Sequence, residues 1–169
     1  MSTGWPDWRA RAEIEIRALV HRYNAVGDAG RVDEFVDLFV PDAVFVVTGL
    51  AEPFVGRDGI QKMVREANDD LRSWEHEGPL HLRHFTSTHQ VDFDAPTEAR
   101  GRVYYQCLMP HGLDHWGRYT DQYRMVDGTW RFAARTEARD GMVAGGWCHH
   151  LWGPNGTRTA SRVNEGESR

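Results

Sequence analysis

Residues 115–139 read HWGRYTDQYRMVDGTWRFAARTEAR. Two runs rich in aromatic and alternating polar residues flank Asp127-Gly128, a dipeptide that favours a two-residue hairpin turn. The stretch therefore reads as a strand over His115–Val126 and a second over Thr129–Arg139. Moving toward the N-terminus, Pro110–Leu113 is a turn, Glu98–Met109 a strand, Asp94–Thr97 a turn containing Pro96, and Leu82–Phe93 another strand. Strands joined by short turns predict an antiparallel sheet.

Before residue 80 the periodicity is helical. Ile16, Leu19, Val20 and Tyr23 follow the i, i+3, i+4, i+7 spacing of one buried face. They predict a helix over Asp7–Val26, with Gly27 and Gly30 marking its end. Val32–Phe39 reads as a short second helix, stopped by Pro41-Asp42, and Ala43–Thr48 as a buried strand. Gly49–Gly56 is a loop or hairpin. Arg57–Trp74 is a third helix with Ile60, Met63, Val64 and Ala67 on one face. Glu75–Pro79 is a break. The expected fold is α+β, with three N-terminal helices packed on a curved antiparallel sheet to make a cone. The expected organisation is a single domain over 1–152 and a flexible C-terminal tail over 153–169. A pocket between the sheet and the first helix is the natural binding site.

The 169 residues fall within the size of one domain, and 40% hydrophobic with 27% charged residues is the composition of a globular chain. The net charge of −5 comes without a basic stripe, which argues against nucleic acid and anionic membrane as partners. The longest apolar run, Ala43–Val47, is far too short for a membrane span. Met1–Arg9 has no basic region followed by an apolar stretch, so no signal peptide is expected. Cys107 and Cys148 sit in no metal or redox motif, and the simplest reading is reduced thiols in a cytoplasmic protein.

Three polar residues could do chemistry: Tyr23 on the apolar helix face, Asp28 five residues later, and His84 in the strand after the third helix. Each has a bland reading as packed aromatic, turn or cap residue, and structural histidine. Together they make more sense. A carboxylate that accepts from one imidazole nitrogen fixes the tautomer and makes the other nitrogen a better base. Tyr23 would then donate to a substrate oxygen.

Strand parity puts Arg100 and Arg102 outward and Val103, Tyr105, Cys107 and Met109 on the covered face. On the next strand Arg118, Gln122 and Arg124 read outward, and Tyr119, Asp121, Tyr123 and Met125 inward. A covered Asp121 needs a partner, Arg135 or His115. The aromatic segment Trp147–Trp152 (WCHHLW) is suited to closing a pocket mouth or packing on a partner subunit. His81 and His84, three apart, would point to opposite faces of a strand, and no helix carries a two-turn His pair, so no metal site is expected.

The order and spacing of YNAVGD (23–28), FVDLFVPDAV (35–44), VGRDGI (55–60), HFTSTHQV (84–91), GRVYY (101–105) and GRYTDQYRMVDGTWRF (117–132) resemble the SnoaL-like branch of the NTF2-like superfamily. The similarity runs over about residues 8–140. It is to the group of hexachlorocyclohexane dehydrochlorinase, bile-acid 7α-dehydratase and scytalone dehydratase. The resemblance implies a cone-shaped α+β fold and an Asp–His dyad working without cofactor. By the same resemblance, Asp28 and His84 match the dyad and Tyr23 a pocket tyrosine. Two departures concern the leaving group. Cys107 stands where the bile-acid enzyme is acidic, and Met125-Val126 where the dehydrochlorinase is basic. His115 would correspond to an extra histidine of scytalone dehydratase.

The catalytic set expected is thus Asp28, His84 and Tyr23, with Tyr105, Cys107, His115, Tyr119 and Trp147 at the substrate. The leading function is a cofactor-independent lyase, a dehydratase or related elimination on a hydrophobic small molecule. Isomerase, polyketide cyclase and epoxide hydrolase are alternatives on the same fold. A non-catalytic binding or dimerisation module and a small oxygenase subunit are alternatives of another class. The resemblance also implies a homodimer formed through the outer face of the sheet.

Overall fold

A computed structural model describes residues 7–76 and 78–153. The quoted stretch forms β5 (Gly112–Val126) and β6 (Thr129–Met142). Asp127 and Gly128 both take positive φ, at 51° and 74°, as the twisted two-residue hairpin requires. β4 (Glu98–Met109) and β3 (Arg83–Ala95) extend the sheet antiparallel on one side. On the other side β1 (Phe39–Val47) lies parallel to β6, and the two-residue β2 (Phe54–Val55) closes the edge. The order is β2-β1-β6-β5-β4-β3.

Helix α1 (Asp7–Asp28) buries Ala12, Ile16, Leu19, Val20 and Tyr23, the face that the spacing picks out, and packs on β3 and β6. The five-residue α2 (Val32–Val36) follows. Helix α3 (Gly56–Ser73) lays Ile60 and Val64 against β1. Between helices and sheet, Ile16, Phe39, Phe132, Tyr123 and Val103 form the centre of the core.

The differences from the sequence reading have identifiable causes. Phe39 opens β1 instead of closing the second helix, because sheet pairing claims it. It sits opposite Phe132, whose N–H donates to the Leu38 carbonyl at 2.9 Å. Pro41 falls inside β1 where the register shifts between Phe39 and Val44, a place that tolerates a residue without N–H. One sheet pair is parallel where an all-antiparallel sheet is expected: the whole intervening chain separates β1 from β6, and only such a long connection permits parallel neighbours. Trp147–Trp152 is a short fourth helix, α4. The expected tail lies outside the described residues apart from Gly153.

Bulges curve the sheet, one of them at Asp94 near the end of β3. The registers place other extra residues at Asp114 in β5, at Ala133 and Asp140 in β6, and near Thr88 in β3, where φ is positive. Each bulge inverts the alternation of side chains beyond it, with direct consequences for the cavity.

Candidate active site

Helix α1 ends in a Schellman motif. Arg31 N–H donates to the Val26 carbonyl and Gly30 N–H to Gly27, both at 2.9 Å, with Gly30 at φ +65°. Asp28 is thereby fixed in the last helical turn, where the helix dipole disfavours a carboxylate. It is no cap for α2: the residue before that helix is Arg31, which makes no side-chain cap bond. Instead Asp28 reaches β3. His84 N–H donates to Asp28 Oδ2 at 2.9 Å and the His84 ring Nδ1 meets Oδ1 at 2.7 Å. One helical turn earlier, Asn24 Nδ2 donates to Thr86 Oγ1 at 3.0 Å. Residues four apart on the helix thus match residues two apart on the strand. With Nδ1–H given to the carboxylate, His84 Nε2 is the free lone pair.

A cavity of about 570 Å³ opens beside this pair, between the sheet, α1, α3 and α4. That size suits a small organic ligand. Asp28, His84, Tyr23, Tyr105, His115, Tyr119 and Trp147 all line it. His81 lines it too: it precedes β3 and so escapes the alternation that would turn it away from His84. Cys107 does not line it. It is fully buried in the wall, directly across β4 from His84 on one side and His115 on the other.

His115 has a carboxylate of its own. Its Nδ1 lies 2.7 Å from Asp114 Oδ2, and both residues are buried. Neighbours in a regular strand point to opposite faces, and the bulge at Asp114 turns both inward. Burial pushes the Asp114 carboxyl up, but hydrogen bonds from His115 and the backbone N–H groups at the start of α4 outweigh it and hold it low. Burial pushes His115 below the usual histidine range in spite of Asp114. The His84 and His115 rings lie 6.1 Å apart, centroid to centroid.

Sequence reading missed Asp114, Glu137 and Arg139. Glu137 and Arg139 line the cavity, 3.8 Å apart, and Tyr105 donates its hydroxyl to Glu137. Parity counted from buried Trp130 and Phe132 would send both outward, but the Ala133 bulge brings Arg135, Glu137 and Arg139 inward. Arg139 also stacks on Trp152 at 3.9 Å, which ties α4 to the sheet. Burial and the Glu137 charge keep the Tyr105 phenol protonated, and burial does the same for Tyr23 and Tyr119.

Under Tyr23 and Tyr119, the Arg135 guanidinium sits 4.1 Å from each ring and donates twice to Asp121 at 2.7 Å. Arg135 is therefore the partner that Asp121 needs, and His115 is not. Tyr123 donates to Asp121 at 2.7 Å, and His89 Nε2 meets the Tyr123 hydroxyl at 3.1 Å. Burial pushes His89 down from 6.5 to about 4. The folded state then binds fewer protons than the unfolded chain between those values. Stability is full above pH 6.5 and falls as the pH drops toward 4. Urea titrations across this window should show the decline, and it should be shallower in His89→Gln.

A family model described as a SnoaL-like domain matches residues 8–136. The chain belongs to this family. Solved structures similar to this SnoaL-like protein share its fold. A protein from Novosphingobium aromaticivorans DSM 12444, assigned as a scytalone dehydratase, superposes with a TM-score of 0.70 at 22% identity, over 81% of this chain and 89% of that one. A protein of unknown function from Mycobacterium tuberculosis gives 0.69 at 22% identity, over 85% and 80%. The type-3 hexachlorocyclohexane dehydrochlorinase from Novosphingobium barchaimii LL02 gives 0.67 at 19% identity, over 82% and 94%. No curated protein matches the sequence. No described helix of this SnoaL-like protein is long and apolar enough to cross a membrane.

Proposed function

We propose that this SnoaL-like protein is a lyase that eliminates water or halide from a hydrophobic small molecule, with His84 as general base. The observation that carries the reading is the Asp28–His84 pair, 2.7 Å apart, with the imidazole facing an aromatic-walled cavity. His84 Nε2 takes a proton from the carbon next to the one bearing the leaving group. The C–H electron pair becomes the new double bond, and hydroxide or halide departs with its bonding pair. Asp28 stabilises the imidazolium so formed, which can return its proton to departing hydroxide. Tyr23, a protonated phenol on the same cavity, supplies a hydrogen bond to a substrate oxygen as charge develops there. Tyr105, His115, Tyr119 and Trp147 form walls that exclude water and strengthen these charge interactions. A carboxylate at the wrong end of a helix is a local cost of the kind functional sites carry.

Within this reading the protein works as a homodimer through the outer sheet face, where Phe85, Tyr104 and Trp116 are 52%, 44% and 38% exposed. Light scattering at micromolar concentration tests that part.

The decisive experiment is a panel of hydroxylated and halogenated ring compounds, scored first for binding by thermal shift and then for release of water or halide. Compounds that bind should be turned over, with solvent deuterium appearing at the adjacent carbon where the step reverses. Compounds that bind wild type and are left unchanged sink the lyase reading. They would favour a ligand-binding module on the same cavity.

A further inference from the structure

Three side chains stand in one row across adjacent strands: His84 on β3, Cys107 on β4 and His115 on β5, each the register partner of the next. Neighbouring strands lie about 4.8 Å apart, so a row on one face converges. One nitrogen of each ring and the Cys107 sulfur lie within 4.8 Å of one another. We infer that His84, Cys107 and His115 form a binding site for a thiophilic divalent cation of the Zn²⁺ class, with its remaining position open to the cavity. This goes beyond the lyase reading and does not rest on it.

Proximity alone is a property of the register; the surroundings of the row add more. Both imidazoles have Nδ1 held by a carboxylate, Asp28 for His84 and Asp114 for His115, each at 2.7 Å. That leaves Nε2 as the free lone pair of both rings. A zinc-bound histidine commonly gives its other ring N–H to a carboxylate, and this site has that carboxylate–imidazole pairing twice. The Cys107 sulfur lies between the rings, 3.9 Å from the Leu108 carbonyl and hydrogen-bonded to the Arg83 backbone; burial holds the thiol protonated, and a bound cation would favour the thiolate. Two neutral imidazoles and one thiolate leave a charge of about +1 on a divalent ion, and the two outer carboxylates bring the assembly to about −1, which favours the bound cation.

Zinc bonds of about 2.0–2.1 Å to nitrogen and about 2.3 Å to sulfur place these ligand atoms roughly 3.3–3.6 Å apart, so closure takes side-chain shifts of about 1 Å. As the sulfur–metal bond forms, the thiol proton leaves to solvent. A bound cation occupies the same lone pair on His84 that would accept a substrate proton, so metal and proton compete there. Cys148 lies near the site, in a second grouping with Asp114 and His115. In that grouping Asp114 Oδ2 already holds His115 Nδ1 and the Cys148 N–H, and we place the ion on the first.

The test is optical and needs no substrate, so its failure and the failure of the lyase reading are separate events. Purified, chelator-stripped protein is titrated with Co²⁺ and then displaced with Zn²⁺. The expected result is one equivalent, with a near-ultraviolet thiolate charge-transfer band and the intense visible bands of a tetrahedral ion. Cys107→Ser should abolish the charge-transfer band, and Cys148→Ser should keep it. Asp28→Asn, on the partly exposed rim, should weaken binding by about 10–100-fold while leaving the band in place. It also serves as the readout if Cys107→Ser does not fold. Absence of a one-equivalent complex in wild type, a band that survives Cys107→Ser or follows Cys148, or unchanged affinity in Asp28→Asn overturns the assignment.

Discussion

Replacing His84 by glutamine should lower kcat/KM for elimination by about 10²–10⁴-fold, the range spanned by loss of a positioned general base. Glutamine is the informative choice. Its amide N–H can still donate to Asp28, and the backbone N–H of residue 84 keeps its own bond to Oδ2 at 2.9 Å. The α1–β3 junction therefore stays tied, helped by Asn24 and Thr86. Binding of a substrate analogue should stay within a few-fold of wild type, because the glutamine occupies nearly the same volume. The loss thus falls on kcat. Steady-state kinetics and calorimetric binding on the same preparation separate the two. A variant retaining turnover within about tenfold of wild type would show that His84 is not the base.

Asp121→Ala carries the largest expected loss of stability, about 3–5 kcal/mol, because it strands a guanidinium in the core. The Asp121 and Arg135 side chains are both completely inaccessible, and the carboxylate accepts two bonds from Arg135 and one from Tyr123. The flanking rings of Tyr23 and Tyr119 offset part of the guanidinium charge but cannot replace a carboxylate. Removing both charges is different. Asp121→Leu with Arg135→Met should recover most of the loss, since a buried ion pair contributes little more than well-packed apolar side chains. Urea unfolding of the two variants decides the matter. Equal destabilisation in the single and double variants would mean that shape, and not charge, governs the site.

What was legible in the sequence follows the regular parts of the molecule. The face of α1 could be read because Ile16, Leu19, Val20 and Tyr23 keep one period without interruption. The bounds of β4 were readable because its alternation runs unbroken from Glu98 to Met109. Asp127-Gly128 announced its hairpin through the conformational demand of the turn. Asp28 and His84 were found by pattern, and their meeting depends on α1 and β3 running side by side, which no spacing discloses. Asp114, Glu137 and Arg139 were hidden for one physical reason. Each lies at or beyond a bulge, and a single inserted residue reverses the inward and outward sides of a strand. The part of the cavity wall and its supports that the sequence hides is thus the part where simple periodicity fails.

The position of α4 has a practical consequence for changing what the protein recognises. Trp147, Leu151 and Trp152 roof the cavity, yet they follow the last strand and take part in no ladder. The roof hangs from the sheet by a few hooks, chiefly Asp114 accepting the Cys148 N–H and Arg139 stacking on Trp152. A combinatorial library confined to Trp147 and Leu151 would reshape ligand selectivity without altering a single strand pairing. If the cavity serves the proposed reaction, selectivity becomes a modular property, carried by a cassette that can be redrawn while the Asp28–His84 pair beneath it is left in place.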